Sequence, residues 1–399
     1  MKHGLRFFTQ RTLLIGMIGI SVMCSNHNTQ PMKIKLTQLP VAGLSGDLAK
    51  GVSAAYAAWI DGNLLVAGGA NFPGKLGFEG GSKVFYSEIM QYDVEKSEWI
   101  PIGHLPDSSA YGVSVTIPDG ALWIGGNTAV KSLAKCYKVN LLENHSVKLN
   151  PFPSLPVTMD NFAGCSLEDL VFVGGGNENG KPSNRFYSIQ TKSDTAWTKL
   201  PNFPGIPRVQ PIMAALEIDH AKYIYLLGGF FGGDDKREPA MATEVLRYDI
   251  AAGRWEKAGE QRDPVTDKPF SLGGATAMPV NDRYILCLGG VNHDIFLNAV
   301  TAQHKIATDT TLTDEERKRK NFEFSKHYMT QPIEYYKFNQ ECRIFDTCTG
   351  EWKTIEVTPA TARAGATLVF NGTTFYIVQG ELKPGVRAPE TWEGRILAE

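Results

Sequence analysis

At 399 residues, with 43% apolar and 21% charged side chains, the chain has an ordinary globular composition. A formal charge of −2, with no Lys/Arg stripe interleaved with aromatics, excludes the electrostatic footprint of a nucleic-acid-binding protein. The six cysteines contain no CxxC pair and the eight histidines form no cluster, so no zinc-type site and no metal are expected.

Lys2, Arg6 and Arg11 precede an apolar stretch from Leu13 to Met23. That stretch falls short of the roughly 20 residues a membrane span requires, but it suits the core of an export signal. Residues 1–24 are therefore expected to be a signal peptide, with the protein periplasmic or otherwise exported. Cys24 offers a site for lipid attachment after cleavage, although Met23 is bulky where a lipoprotein signal has a small residue. Membrane contact is expected only through such an anchor.

From residue 32 onward a unit recurs. Each copy has an apolar run, a short turn, a second apolar run ending at glycine, a variable loop, and a third run. The second-run endings are LLVAGGA (64–70), LWIGGN (122–127), VFVGGGN (171–177), YLLGGF (225–230), ILCLGGV (285–291) and FYIVQGE (375–381). Four copies add a tryptophan on an outer strand, at Trp99, Trp197, Trp255 and Trp352. The period of about fifty residues is that of kelch repeats. Each unit is a small antiparallel sheet that can bury its faces only by stacking on others. The expectation is all-β: one six-bladed kelch-type β-propeller over residues 32–399. Diglycines suit a close approach of neighbouring backbones, and tryptophan supplies an apolar plate between sheets.

The two ends of the array complement one another. The last unit, TARAGATLVF (361–370), FYIVQGE (375–381) and TWEGRILAE (391–399), lacks an outer strand, while MKIKLTQLP (32–40) reads as a lone one. Residues 33–38 are expected to complete the last blade and close the ring. Between units five and six lies an insertion at about 292–340, long enough to be a functional loop. Within it, Thr313-Asp314-Glu315-Glu316 is a capping box that predicts a helix to roughly Tyr328.

Polar residues just past the second-strand glycines belong near the mouth of the central channel. They are Asn71, Asn127, Asn177 with Glu178, Asn292 with His293 and Asp294, and Glu381. Glu381, in QGELKPGVR, has Lys383 and Arg387 nearby, and a channel-mouth carboxylate can act as a general base. Arg387 can return across the Pro384-Gly385 turn, either toward a substrate carboxylate or into a plain ion pair with Glu381. Arg208 and Gln210, in FPGIPRVQP, open the fourth blade and can reach the channel.

The runs GELKPGVR (380–387), GGVNHDIF (289–296), AYGVSVT (110–116), FPGIPRVQ (203–210) and GGANFPG (68–74) resemble those of the N-acetylneuraminate epimerase family, the sialic acid mutarotases. GELKPGVR is the most specific, because the kelch pattern does not require it. It lies near the C-terminus here rather than mid-chain, as in the cyclically permuted branch of that family. The resemblance implies a cofactor-independent isomerase that interconverts the α and β anomers of N-acetylneuraminate. It places the catalytic pair on Glu381 and Arg387, with Glu381 taking the proton and Arg387 clamping the sugar-acid carboxylate. Arg208, Gln210, Asn71 and Asn292 are the candidate substrate contacts. Lys383, Arg387 or a water can each serve as general acid, and a homodimer is allowed for. Two other readings compete: a copper radical oxidase, for which no axial Tyr/His/Cys set is visible, and a non-catalytic propeller that binds a glycan or protein.

Overall fold

A computed structural model describes residues 32–143 and 146–398; the expected signal segment and Cys24 lie outside them. The described chain is mostly β, with few helices and many small antiparallel sheets. Six of these sheets are four-stranded.

Sheet one takes Tyr56–Ile60, Asn63–Ala67, Glu88–Asp93 and Glu98–His104. Sheet two takes Val113–Ile117, Gly120–Ile124, Cys136–Leu141 and Val147–Phe152. Sheets three and four run from Ala163 to Leu200 and from Ile212 to Glu260. Sheet five joins Ala275–Val280 and Tyr284–Gly289 to Glu341–Asp346 and Glu351–Val357, across the insertion. Sheet six takes Thr367–Asn371, Thr374–Val378 and Thr391–Ala398, and its fourth strand is Met32–Gln38 from the other end of the chain. That strand pairs antiparallel with the last, from Met32 opposite Ala398 to Gln38 opposite Trp392.

Apolar side chains meet between successive sheets. Tyr56, Ala58 and Leu65 of sheet one pack with Ala121, Trp123 and Val139 of sheet two. The succession continues through sheets two to six and returns to sheet one, where Val369, Tyr376 and Val378 pack against Val66, Tyr92 and Trp99. At about 1.5–3 kcal/mol per fully buried large aliphatic side chain, these interfaces dominate the stability. Cys136, Cys165, Cys287 and Cys342 are buried free thiols within them. The tryptophans stitch neighbours together by their indole N–H groups. Trp99 donates to Pro40 O, Trp197 to Pro153 O, Trp255 to Pro201 O and Trp352 to Glu260 O, each on the preceding sheet's outer strand or within two residues of its end.

One backbone motif ties the six innermost strands. Just before each lies a residue with positive φ: Ala54 (54°), Tyr111 (62°), Asn161 (53°), Gln210 (52°), Gly274 (69°) and Gly365 (59°). Each N–H donates to the carbonyl of the equivalent residue one sheet earlier, at 2.7–3.1 Å, and Ala54 donates to Gly365 O. The result is a cycle of main-chain hydrogen bonds. Left-handed backbone costs a non-glycine residue of order 1 kcal/mol, so four such side chains mark a place where the surroundings over-determine the backbone.

The insertion folds into helices α1 (His293–Thr308), α2 (Asp314–Met329) and α3 (Ile333–Tyr336). Helix α2 begins at the expected capping box, with Thr313 accepting from Glu316 N–H and Glu316 reaching back to Thr313 N–H. Helix α1 begins at Asn292, whose side chain accepts from Ile295 N–H at 3.1 Å.

Candidate functional site

Register decides which residues past the glycines face the centre. In five of the six units the residue directly after the last glycine bridges back to the stretch before its own sheet's first strand. Ala70 bridges to Ser53, Asn127 to Ala110, Asn177 to Asp160, Phe230 to Val209 and Glu381 to Ala364. Side chains alternate along an extended chain, so a residue one position further points elsewhere. Asn71 is such a residue. It is buried, donates to Asp47 O at 2.9 Å and Gly51 O at 2.8 Å, and accepts from the Tyr86 hydroxyl at 2.7 Å. Its polar atoms are consumed in holding a loop. Asn292 is likewise one position too far and is spent as the cap of α1.

Two of the residues that bridge back, Asn127 and Glu381, line a cavity of about 360 Å³ together with Arg387, Lys83, Tyr111, Asn161 and Gln210. Helix α2 contributes Met329. A smaller cavity of about 110 Å³ continues toward the following residues of the inner strands and shares Tyr111, Asn161, Gln210 and Gly365 with the first.

Glu381 and Arg387 face each other across a two-stranded hairpin. Glu381 Oε1 accepts from Arg387 Nη1 and from Gly385 N–H, the latter at 2.8 Å. Oε2 accepts no hydrogen bond among the described residues. The hairpin turns at Gly385, whose left-handed φ of +86° favours glycine. Arg387 is sunk in the wall, its side chain 3% exposed. Its Nε donates to Ala70 O at 3.3 Å, joining sheet six to the sheet-one hairpin, and its guanidinium lies 5.9 Å from the Phe72 ring centre. With Nη1 on Glu381 and Nε on Ala70 O, this arginine anchors the carboxylate, while its Nη2 makes no hydrogen bond among the described residues.

Opposite, Lys83 Nζ donates to the Tyr111 hydroxyl at 2.9 Å and lies over the Tyr111 ring at 4.9 Å. Asn161 donates to Asp160 Oδ1 at 2.8 Å and accepts from Gln210 Nε2 at 3.2 Å, so these amides hold one another in the cavity wall. Asn127 Oδ1 is buried and accepts nothing. Arg208 lies outside the lining. It is fully buried, pairs with Glu244, and stacks 5.3 Å from Phe203, so it braces sheet four. Lys383 is also occupied, donating to Met329 O at 3.2 Å and Gln331 O at 2.6 Å. Tyr336, beside Glu381 under the helices, has its phenol pushed up to about 12, chiefly by burial. Among the described residues no three His, Cys, Asp or Glu side chains are grouped to share a metal ion.

The structure thus brings Glu381, Arg387 and Gln210 together, and leaves Asn71, Asn292 and Arg208 outside. Sequence reasoning missed Lys83, Tyr111 and Asn161. Tyr111 and Asn161 occupy the same repeat position as Gln210, so aligning the six units on that position would have found them; Lys83, in a loop without repeat register, gave no signal.

A family model described as N-acetylneuraminate epimerase matches residues 21–149 and 152–399. An N-acetylneuraminate epimerase of Haemophilus influenzae (strain PittEE) is 29% identical over 255 residues, covering 64% of this chain and 62% of that protein. N-acetylneuraminate epimerase 1 of Escherichia coli O6:H1 (strain CFT073) is 30% identical over 267 residues, covering 63% of this chain and 66% of that protein. The chain therefore spans just under two thirds of the length of these curated relatives. The solved structure of YjhT superposes with a TM-score of 0.49 at 26% identity, over 59% of this chain and 61% of that one. The family match runs over almost the whole sequence, and by it the chain belongs to the N-acetylneuraminate epimerase family.

Proposed function

We propose that this protein is a mutarotase that interconverts the α and β anomers of N-acetylneuraminate, built as one closed six-bladed kelch-type propeller with the active site at the mouth of its channel. The observation that carries the reading is the state of Glu381. One of its oxygens is fixed by Arg387 and the Gly385 N–H, while the other is unengaged at the cavity. A carboxylate oriented in this way is set to take a proton from a bound hydroxyl.

In the reaction Glu381 Oε2 accepts the proton of the anomeric hydroxyl at C2. The C2–O6 bond breaks as C2 becomes a ketone, and O6 takes a proton from cavity water. The open-chain keto acid rotates about C2–C3. O6 then re-adds to the other face of the carbonyl, O6 returns its proton to water, and the new anomeric oxygen recovers a proton from Glu381. Only protons move and no oxidation state changes, so the chemistry calls for no redox cofactor. Cavity water is the proton source for O6 in this scheme, since Lys383 is spent on helix carbonyls. The basic, then apolar, N-terminal segment supports export, with the enzyme acting outside the cytoplasm.

The test is Glu381→Gln, followed by NMR on α-sugar freshly released by a sialidase. Loss of a base lowers the rate by about 10²–10⁴. Anomer exchange at the wild-type rate would remove Glu381 from the mechanism.

A further inference from the structure

Resting on that reading, we propose that Lys83, together with the Tyr111 hydroxyl, is the site that binds the carboxylate of the sugar acid. Arg387 already spends donors on Glu381 and on Ala70 O, so Lys83 is the less committed cation of the cavity. Lys83 is a half-buried ammonium on the cavity wall. Among the described residues its one hydrogen-bond partner is the neutral Tyr111 hydroxyl, and no carboxylate stands within ion-pair reach. An ammonium carries three donors, so two remain for a ligand. Tyr111 accepts from Lys83 and so keeps its own O–H to donate. Together they present one positive charge and up to three donors, the complement of a carboxylate.

Placement supports the same reading. The Lys83 ammonium lies 5.7 Å from the Phe72 ring centre and the Arg387 guanidinium 5.9 Å from it. The two cations therefore share one aromatic wall, so the ammonium and the Glu381 carboxylate serve a single ligand. That ligand carries its acid group on the same carbon that bears the reacting hydroxyl. Tyr111 is held to this task by its left-handed φ of 62° and its N–H bond to Ala54 O at 2.9 Å.

The experiment compares binding of N-acetylneuraminate with that of its uncharged methyl ester by calorimetry, and runs the exchange assay alongside. The wild type should favour the acid by about 10- to 100-fold, the usual worth of a charged hydrogen bond. Lys83→Met should lose that preference while binding the ester as before, and Lys83→Arg should restore most of it. A Lys83→Met protein that keeps the wild-type preference overturns the assignment, as does a wild type that binds acid and ester equally. A wild type that favours the acid through Lys83 yet leaves anomer exchange at the solution rate sinks the mutarotase reading and leaves the binding site standing.

Discussion

Burial does more than pack the aromatic residues of this protein, because it also sets how their hydroxyls ionise. The phenols of Tyr187, Tyr336 and Tyr376 are each pushed up to about 12, first by desolvation and then by nearby charges or phenols, among them Glu178, Tyr335 and Glu393 respectively. A raised folded-state value means the folded chain holds its protons where the unfolded chain, near 10, has released them. Their contribution to stability is thus complete below pH 10 and is lost as pH climbs through 12. Chemical-denaturation midpoints should fall steeply over that window, with tyrosinate absorbance appearing together with unfolding. Tyrosines that all ionised near pH 10 in an intact fold would contradict this. At the same scale, the fate of the candidate residues turned on one position of register. Glu381 directly follows its glycine and faces the cavity, whereas Asn71 and Asn292 lie one residue on and are consumed elsewhere. The residue types were legible in the sequence; the parity of an irregular strand end was not.

The helical insertion packs Tyr336 and Phe338 into a small core with Met241 and Val291, and Phe296, Leu297 and Tyr328 lie against it. Helix α2 buries no residue of its own. It is joined to α1 by Arg317, which donates to the carbonyls of Ile306, Ala307 and Asp309, and it meets the sheet-one loop where Phe322 approaches Phe78 at 6.3 Å. Its C-terminal end is held by Lys383 of the Glu381–Arg387 hairpin. Elements with so little buried surface open locally at low cost. Lys383→Met should raise amide hydrogen exchange across residues 326–336 by about 10- to 100-fold, as expected for losing a charged donor to two carbonyls. The six sheets should keep their protection; unchanged exchange in the insertion would show that Lys383 does not restrain it. The capping box at Thr313 made α2 readable, since both halves of the signal lie close together in sequence. Helix α1 stayed hidden because Asn292, the residue that starts it, reads equally well as a ligand contact.

Across the whole molecule, the repeat was legible because every sheet carries the same local chemistry: glycines with positive φ at the end of the second strand, and in four sheets a tryptophan donating to its neighbour. The main-chain cycle at the centre was not legible, because a backbone hydrogen bond leaves no mark on residue type; Ala54, Tyr111, Asn161, Gln210, Gly274 and Gly365 share a conformation and nothing else. Pairing of the two chain ends was foreseeable from a missing strand at one end and a spare one at the other. It also predicts that a small change near the N-terminus is felt globally. Ile34 is 8% exposed and packs with Met278, Leu286 and Phe375 between sheets five and six. Ile34→Ala should lower global stability by about 2–4 kcal/mol, read as a shift in the urea midpoint. A shift of a few tenths would mean the strand contributes little.

That same pairing has a consequence for how the protein is made. Strand Met32–Gln38 and its partner Thr391–Ala398 are separated by residues 39–390. At about 5–20 residues per second, the first waits roughly 20–70 seconds for the second to be synthesised. Once the inner strands of the sixth sheet are made, that sheet still lacks a partner for Met32–Gln38 until the strand from Thr391 is added. Nascent chains in this state are clients for holdase chaperones, and their contacts, distant in sequence, form last. A product stalled or clipped before residue 391 has five complete sheets and even the Glu381–Arg387 hairpin, yet it carries raw strand edges open to pairing with other chains.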